Sequence, residues 1–258
     1  MNDLTLIKLG GSLLDDAVRR EAALRAIVAR WNRGENLVLV HGGGKHIDAA
    51  LAKLGMPKRT HAGLRITDDA TLAVVVSVLG GTVNKMLVSE LTRLGIRAAG
   101  ISGCDGATLM AEKHANLDGV DLGHVGHVTG SNRALVNALL TSGTMPVISS
   151  IAIGADGALF NVNADAAASA IAVAHGAKEL LFLTDVPGLL DHAGTVVPHL
   201  NSTGLAAMLS SPAVSGGMKP KLQAALAALN AGVVQIKITA PQTDNRQPTT
   251  GGTTLVAA

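Results

Sequence analysis

Apolar residues in this chain come in short blocks that stop at glycine, with helically spaced stretches between them. Leu4–Leu9 is an apolar block around a single lysine and ends at Gly10-Gly11. Residues 37–40 form a second block, which soon meets Gly42-Gly43-Gly44. Short apolar blocks bounded by turn residues predict buried strands. Between the two, Asp15 or Asp16 can cap a helix that carries Ala22, Leu24, Ile27, Val28 and Trp31, runs to about Arg33 and ends at Gly34. A second helix is predicted from the glycine triplet to about Leu54. This alternation predicts a mainly parallel sheet with helices on its faces.

The pattern continues along the chain. Residues 68–94 read as one long apolar helix, and 133–142, 165–175 and 219–231 as further helices. Residues 98–102, 146–150, 180–184 and 234–240 read as strands, with short strands or hairpins over 106–128. A Thr/Pro/Gln/Asn-rich loop over 242–250 precedes a last strand, 253–256. A second βα series begins near 174–178, which predicts two lobes, 1–175 and 176–258.

Composition narrows the function. The 258 residues are 48% hydrophobic and 16% charged, a globular balance. One Trp, two Phe and no Tyr leave an aliphatic core and no platform for base stacking. A formal net charge of +2, with lysine and arginine scattered, argues against nucleic acid as a partner. Residues 70–79 fall short of the roughly 20 apolar residues that cross a bilayer, so no membrane span is expected. No signal-peptide pattern opens the chain. The single Cys104 permits no internal disulfide and fits a reducing, cytoplasmic setting.

In an open α/β sheet, ligands bind at the carboxyl ends of the strands. Two glycine turns fall there, Lys8-Leu9-Gly10-Gly11-Ser12 and His41-Gly42-Gly43-Gly44-Lys45. Glycine lets backbone N–H groups approach an anion, and a following helix N-terminus favours negative charge. Ordinary tight turns would carry the same glycines, but two of them, one with a lysine beside it, favour anion binding. Neither of the two common glycine-rich phosphate signatures occurs. An esterase reading of the glycine triplet lacks a nucleophile elbow; Ala213-Val214-Ser215-Gly216-Gly217 is a distant match with no clear strand before it. Asn161-Val162-Asn163-Ala164-Asp165 precedes an alanine-rich helix and suits either a helix cap or a ligand site. Lys219 and Lys221 lie near a helix start, where the dipole does not favour cations, so one of them is a candidate for an anionic ligand. His124 and His127 have no accompanying Cys or carboxylate cluster, so no protein-ligated metal is expected.

In sequence, these segments resemble the amino-acid kinase family, and most closely its members that act on N-acetyl-L-glutamate. The markers are Lys8-x-Gly10-Gly11, the 41–44 triplet, Gly63-Leu64-Arg65-Ile66-Thr67, Gly81-Thr82-Val83-Asn84-Lys85, Gly103-x-Asp105-Gly106, Gly123-His124-Val125-Gly126, the 161–165 motif, Thr184-Asp185-Val186-Pro187-Gly188 and Gly217-Met218-x-Pro220-Lys221. The resemblance implies a three-layer α/β/α sandwich of the carbamate kinase-like type. It implies ATP with Mg²⁺ carried on the phosphates, and transfer to the side-chain carboxylate of N-acetyl-L-glutamate, a step of arginine biosynthesis. It gives Lys8, Lys221 and Asp165 to catalysis, and Gly43, Gly44, Arg65 and Asn161 to the acyl amino acid. Gly10, Gly11 and Ser12, with Asp185, Val186, Pro187, Gly188, Leu189 and Leu190, fall to the nucleotide. The N-terminal lobe would bind the acyl amino acid and dimerise; the C-terminal lobe would bind ATP. A homodimer without arginine feedback is expected, because Lys8 stands too near the start for the extra helix of arginine-inhibited members. The sequence departs from the family at Lys219, at Cys104 and in its tail after Ala240. A kinase of carrier-linked aminoadipate or glutamate, and a non-catalytic nucleotide-binding regulator, stay open as alternatives.

Overall fold

The computed structural model describes residues 3–191, 193–210, 218–241 and 251–258. The predicted loop over 242–250, and the motif residues 211–217, lie outside the described residues. The strands are β1 (Leu4–Leu9), β2 (Asn36–His41), β3 (Thr60–His61), β4 (Leu64–Arg65), β5 (Ala98–Ser102), β6 (Met110–Lys113), β7 (Val125–Gly130), β8 (Met145–Ser149), β9 (Ile151–Ile153), β10 (Leu159–Val162), β11 (Glu179–Leu183), β12 (His199–Asn201), β13 (Gln235–Thr239) and β14 (Thr253–Val256). The helices are α1 (Gly11–Asp15), α2 (Ala17–Asn32), α3 (Gly44–Lys53), α4 (Asp69–Val76), α5 (Asn84–Arg93), α6 (Ala134–Thr141), α7 (Ala164–Ala174), α8 (Ser202–Leu209) and α9 (Met218–Asn230). A π-helical segment, Ser77–Val83, joins α4 to α5 without a break.

The main sheet has the order β12-β14-β13-β11-β1-β2-β8-β5, parallel except where β14 meets β13. Its two faces follow from the period of two in each strand. Leu6, Val38, Val40, Leu180 and Phe182 point to one side and pack with Ala167, Ala168 and Ile171 of α7 and Ala225 and Leu229 of α9. Ile7, Leu9, Leu37, Leu39 and Leu181 point to the other and pack with α2, α3 and α5 through Leu24, Ile27, Leu51 and Leu87. Small alanines on α7 let that helix lie close against the strands. The result is the expected three-layer sandwich. Four further strands, β10-β7-β6-β9, close into a small barrel, and β3–β4 is a separate hairpin.

The sheet runs unbroken through both predicted lobes, since β1 pairs along its length with β11. The helical run Asp69–Arg93 is long and apolar enough to cross a membrane by length and composition. This extends well past the 70–79 stretch. Val75, Leu79, Val83, Leu87 and Leu91 are buried along it, in the core that covers one sheet face.

Candidate functional site

Three charges that are far apart in sequence meet in the interior. Lys8 is on β1, Asp165 in the first turn of α7 and Lys221 in the first turn of α9. The Asn163 side chain caps α7 by accepting from the N–H groups of Asp165 and Ala166 at 2.8 and 3.1 Å, which fixes the turn that carries the carboxylate. The Lys8 ammonium lies 2.9 Å from Asp165 Oδ1, and the Lys221 ammonium lies 3.0 Å from the same oxygen. All three side chains are at most 10% exposed. Burial works against ionising Asp165, yet the two ammoniums outweigh it and hold the carboxyl below its ordinary range. Burial, then the repulsion of Lys8, pulls Lys221 down, with Asp165 opposing. The Lys221 ammonium also lies 5.0 Å above the Phe182 ring. Lys219, two residues away, is exposed.

Lys8 and Asp165 line a cavity of about 840 Å³ together with Gly43, Gly44, Arg65 and Asn161. A Cβ on Gly43 would lie 2.9 Å from Leu79 and 3.1 Å from Val83 on the π segment, so a side chain there would make those two shift. A Cβ on Gly44 would meet nothing within 4 Å. Arg65, on the hairpin, is ion-paired with Asp48 of α3, and its Nη2 also donates to the Gly44 carbonyl at 3.3 Å. Its Nη1 is buried without a partner. A buried guanidinium nitrogen with an unused N–H is costly to leave so, and it suits an incoming carboxylate. Asn161 donates to Thr67 Oγ1 at 3.2 Å, and Thr67 in turn donates to the Arg65 carbonyl at 2.8 Å. The barrel strand β10 and the hairpin are thereby tied across the cavity.

The other predicted set gathers at the carboxyl ends of β1 and β11. Gly10 N–H donates to the Leu183 carbonyl at 2.7 Å, and a Cβ on Gly10 would come within 2.8 Å of that oxygen. Gly11 opens α1 and lines the cavity, with nothing within 4 Å of its Cβ position. Thr184 Oγ1 donates to Asp185 Oδ1 at 3.1 Å, and Ser12 beside it, the Asp185 backbone N–H and Thr184 hold that carboxyl below its ordinary range despite partial burial. Asp185, Pro187 and Leu190 are exposed and Val186 half-buried. Gly188 faces Thr253 and Val196. Leu189 turns into the core, and its N–H donates to Thr253 Oγ1 at 2.7 Å. Of this second set, Gly11 alone reaches the cavity lining.

Sequence reading overlooked Asp48, which fixes Arg65, and took Thr67, which holds Asn161, only as part of a marker. An acid four residues into a helix that starts at a glycine turn was the available signal for Asp48. Among the described residues no group of three or more His, Cys, Asp or Glu side chains could hold a metal. Cys104 is half-buried, and burial, then the neighbouring Asp105, pushes its thiol up, which disfavours the reactive thiolate.

Residues 3–240 match the amino acid kinase family. The chain belongs to that family. It is 41% identical to the acetylglutamate kinase of Geobacillus thermodenitrificans over 99% of this chain and 97% of the relative. It is 43% identical to the acetylglutamate kinase of Methanopyrus kandleri over 92% of this chain and 94% of the relative. Among solved structures, smu.665 from Streptococcus mutans superposes with a TM-score of 0.86 at 28% identity, and each chain is fully covered. The amino acid kinase fold extends to Giardia carbamate kinase, at a TM-score of 0.75 and 14% identity over 100% of this chain and 99% of that one.

Proposed function

We propose that this chain transfers the γ-phosphoryl group of ATP to the side-chain carboxylate of N-acetyl-L-glutamate, yielding N-acetyl-L-glutamyl 5-phosphate and ADP, a step of arginine biosynthesis. The observation that carries this reading is the pair of lysines held on one buried carboxylate, beside a cavity that also holds an arginine with a free N–H. The identity of about 40% to acetylglutamate kinases over nearly the full chain supports the substrate.

The chemistry asks little of a base. A carboxylate with a pKa near 4 is already ionised at pH 7. One of its oxygens forms a bond to the γ-phosphorus while the bond from that phosphorus to the β–γ bridging oxygen breaks, and ADP leaves with the electron pair. The barrier is the meeting of two anions, so catalysis is positioning and charge stabilisation. Lys8 and Lys221 place positive charge on the transferring group, and Asp165 keeps the two ammoniums close despite their repulsion. Arg65 grips the substrate's other carboxylate, with the Gly43 and Gly44 N–H groups and Asn161 beside it. Gly10, Gly11, Ser12 and residues 185–190 hold the nucleotide, whose Mg²⁺ arrives on its phosphates as part of the substrate.

Residues 1–175 supply Lys8, Asp165 and the acyl amino-acid groups, and 176–258 supply Lys221 and the 185–190 segment. That division supports an acyl-amino-acid lobe and a nucleotide lobe, with Gly10, Gly11 and Ser12 of the first lobe reaching the nucleotide between them. The chain acts in the cytoplasm as a homodimer, a reading supported by the half-buried edge strand β5 and by the part of Asp69–Arg93 that stays outside the core. A monomeric mass by sedimentation would overturn the dimer.

A hydroxylamine trap with MgATP tests the reaction. Hydroxamate from N-acetyl-L-glutamate, and none from free glutamate, is the expected result. No hydroxamate from folded protein that binds ATP would overturn it.

A further inference from the structure

His41, the last residue of β2, and Asn84, the first of α5, are fully buried and touch. Asn84 Nδ2 lies 3.1 Å from His41 Nε2, 2.9 Å from the Val147 carbonyl and 3.2 Å from the Ile101 carbonyl. Its Oδ1 accepts from the Lys85 ammonium at 3.1 Å. Two carbonyl oxygens and a lysine fix which end of the amide is which. The amide nitrogen has two hydrogens, shared among three neighbours, and no lone pair to offer, so it cannot accept from His41 Nε2, and an acceptor Nε2 is the arrangement without a clash of N–H groups. The ring proton therefore sits on Nδ1, which lies 2.9 Å from the Gly42 carbonyl and donates to it. Burial agrees with a neutral ring, drawing its pKa down to about 4.

The consequence lies one peptide further on. The Gly42–Gly43 peptide is planar and trans, so fixing the Gly42 carbonyl fixes the Gly43 N–H in the opposite direction. Leu79 and Val83 crowd the position of a Gly43 Cβ from the π segment that ends immediately before Asn84. One helix thus both presses on the turn and supplies its anchor, and π segments of this kind recur at functional sites.

We propose that Asn84 and His41 are positioning residues: Asn84 selects the Nδ1–H tautomer of His41, and that tautomer aims the Gly42–Gly43 peptide so that its N–H can receive the acyl substrate. This rests on the assignment of Gly43 and Gly44 to the acyl amino acid. Acyl-phosphate formation by the unaltered protein tests that assignment, and the variants below test the relay.

Nitrogen-15 NMR of labelled histidine reads the tautomer directly. The unaltered protein at pH 7 is expected to show His41 neutral and protonated on Nδ1; an Nε2–H or charged ring overturns the proposal. In Asn84→Asp the carboxylate attracts a proton to Nε2, and KM for N-acetyl-L-glutamate is expected to rise about tenfold with kcat falling less than threefold. His41→Gln, whose amide can accept from Asn84 and donate to Gly42, is expected to keep KM within about threefold, and His41→Leu to lose what Gln keeps. Where His41→Leu does not fold, the Gln variant and the spectrum decide. Unchanged KM in a folded Asn84→Asp with an altered tautomer overturns the relay.

Discussion

Lys8 and Lys221 both rest on Oδ1 of Asp165, at 2.9 and 3.0 Å, so two cations share one oxygen. Two neighbouring buried ammoniums repel, and a single carboxylate leaves the cluster with net charge +1. That surplus is what a phosphoryl group entering from the cavity would meet. Asp165→Asn keeps the shape and removes the compensation. Breaking a buried ion pair from one side costs about 3–5 kcal/mol, and this change exposes two cations to each other. The variant is expected to lose at least about a hundredfold in kcat and to unfold at markedly lower urea, read by enzyme assay and denaturation.

Removing one lysine is expected to be milder for the fold and as severe for chemistry. In Lys8→Met the Asp165–Lys221 pair survives, so denaturation midpoints should shift less than in Asp165→Asn. The rate should still fall about 10²–10³-fold, the usual loss when one stabilising donor is removed. A rate within threefold of the unaltered protein would remove Lys8 from the catalytic set.

The alkaline limb of the pH–rate profile should reveal Lys221. Its pKa is lowered from 10.5, first by burial and then by Lys8, so activity is expected to fall as pH rises before an ordinary lysine would titrate. Lys221→Arg, which stays charged, should move that limb upward even if its rate is lower. A limb unmoved by the arginine would assign it to another group.

Acid stability follows from buried neutral histidines. His41 and His175 are both drawn down from 6.5 to about 4, His41 and His175 alike chiefly by burial. Below pH 6.5 the unfolded chain binds protons that the folded chain refuses. Each histidine's contribution is therefore complete above pH 6.5 and is lost as pH falls toward about 4. His175→Gln is expected to reduce the slope of stability against pH in that window by about 1.4 kcal/mol per unit. An unchanged slope in pH-dependent urea denaturation would contradict it.

The two glycines after Lys8 should behave oppositely. A Cβ on Gly10 meets the Leu183 carbonyl at 2.8 Å, and backbone cannot yield as a side chain can, so Gly10→Ala should destabilise the fold. A Cβ on Gly11 meets nothing within 4 Å. Gly11→Ala should keep the denaturation midpoint and raise KM for ATP, a split measured by pairing melts with kinetics.

Much of this arrangement was legible in the chain. Short, mainly apolar blocks closed by glycines, such as Leu4–Leu9, read as buried strands, and Asp16 and Gly34 delimit α2 as caps and breakers do. The lysines, Asp165 and Arg65 came from motif order. What escaped is set by tertiary contacts. The two-residue strands β3 and β4 have too little sequence to show a period, and α8 places Gly204 in its first turn with only the Asn201 cap to start it. The π segment contains Gly80-Gly81 and looks like any apolar helix, since one inserted residue leaves no compositional mark. Leu189 packs in the core and its N–H donates to Thr253, a partner 64 residues away that no local pattern could announce.

The position of β1 in the sheet bears on how the protein is made. Ile7 pairs with Leu39 on one side and Leu181 on the other, so this strand is closed only by one synthesised far later. Lys8 then waits for Asp165 and, last, for Lys221. Such long-range pairing slows folding, and the growing chain carries an open sheet edge until β11 arrives. Nascent chains stalled before β11 should be sticky and inert, and chains ending before α9 should have no activity at all, because the second cation of the cluster follows Asp165 by 56 residues.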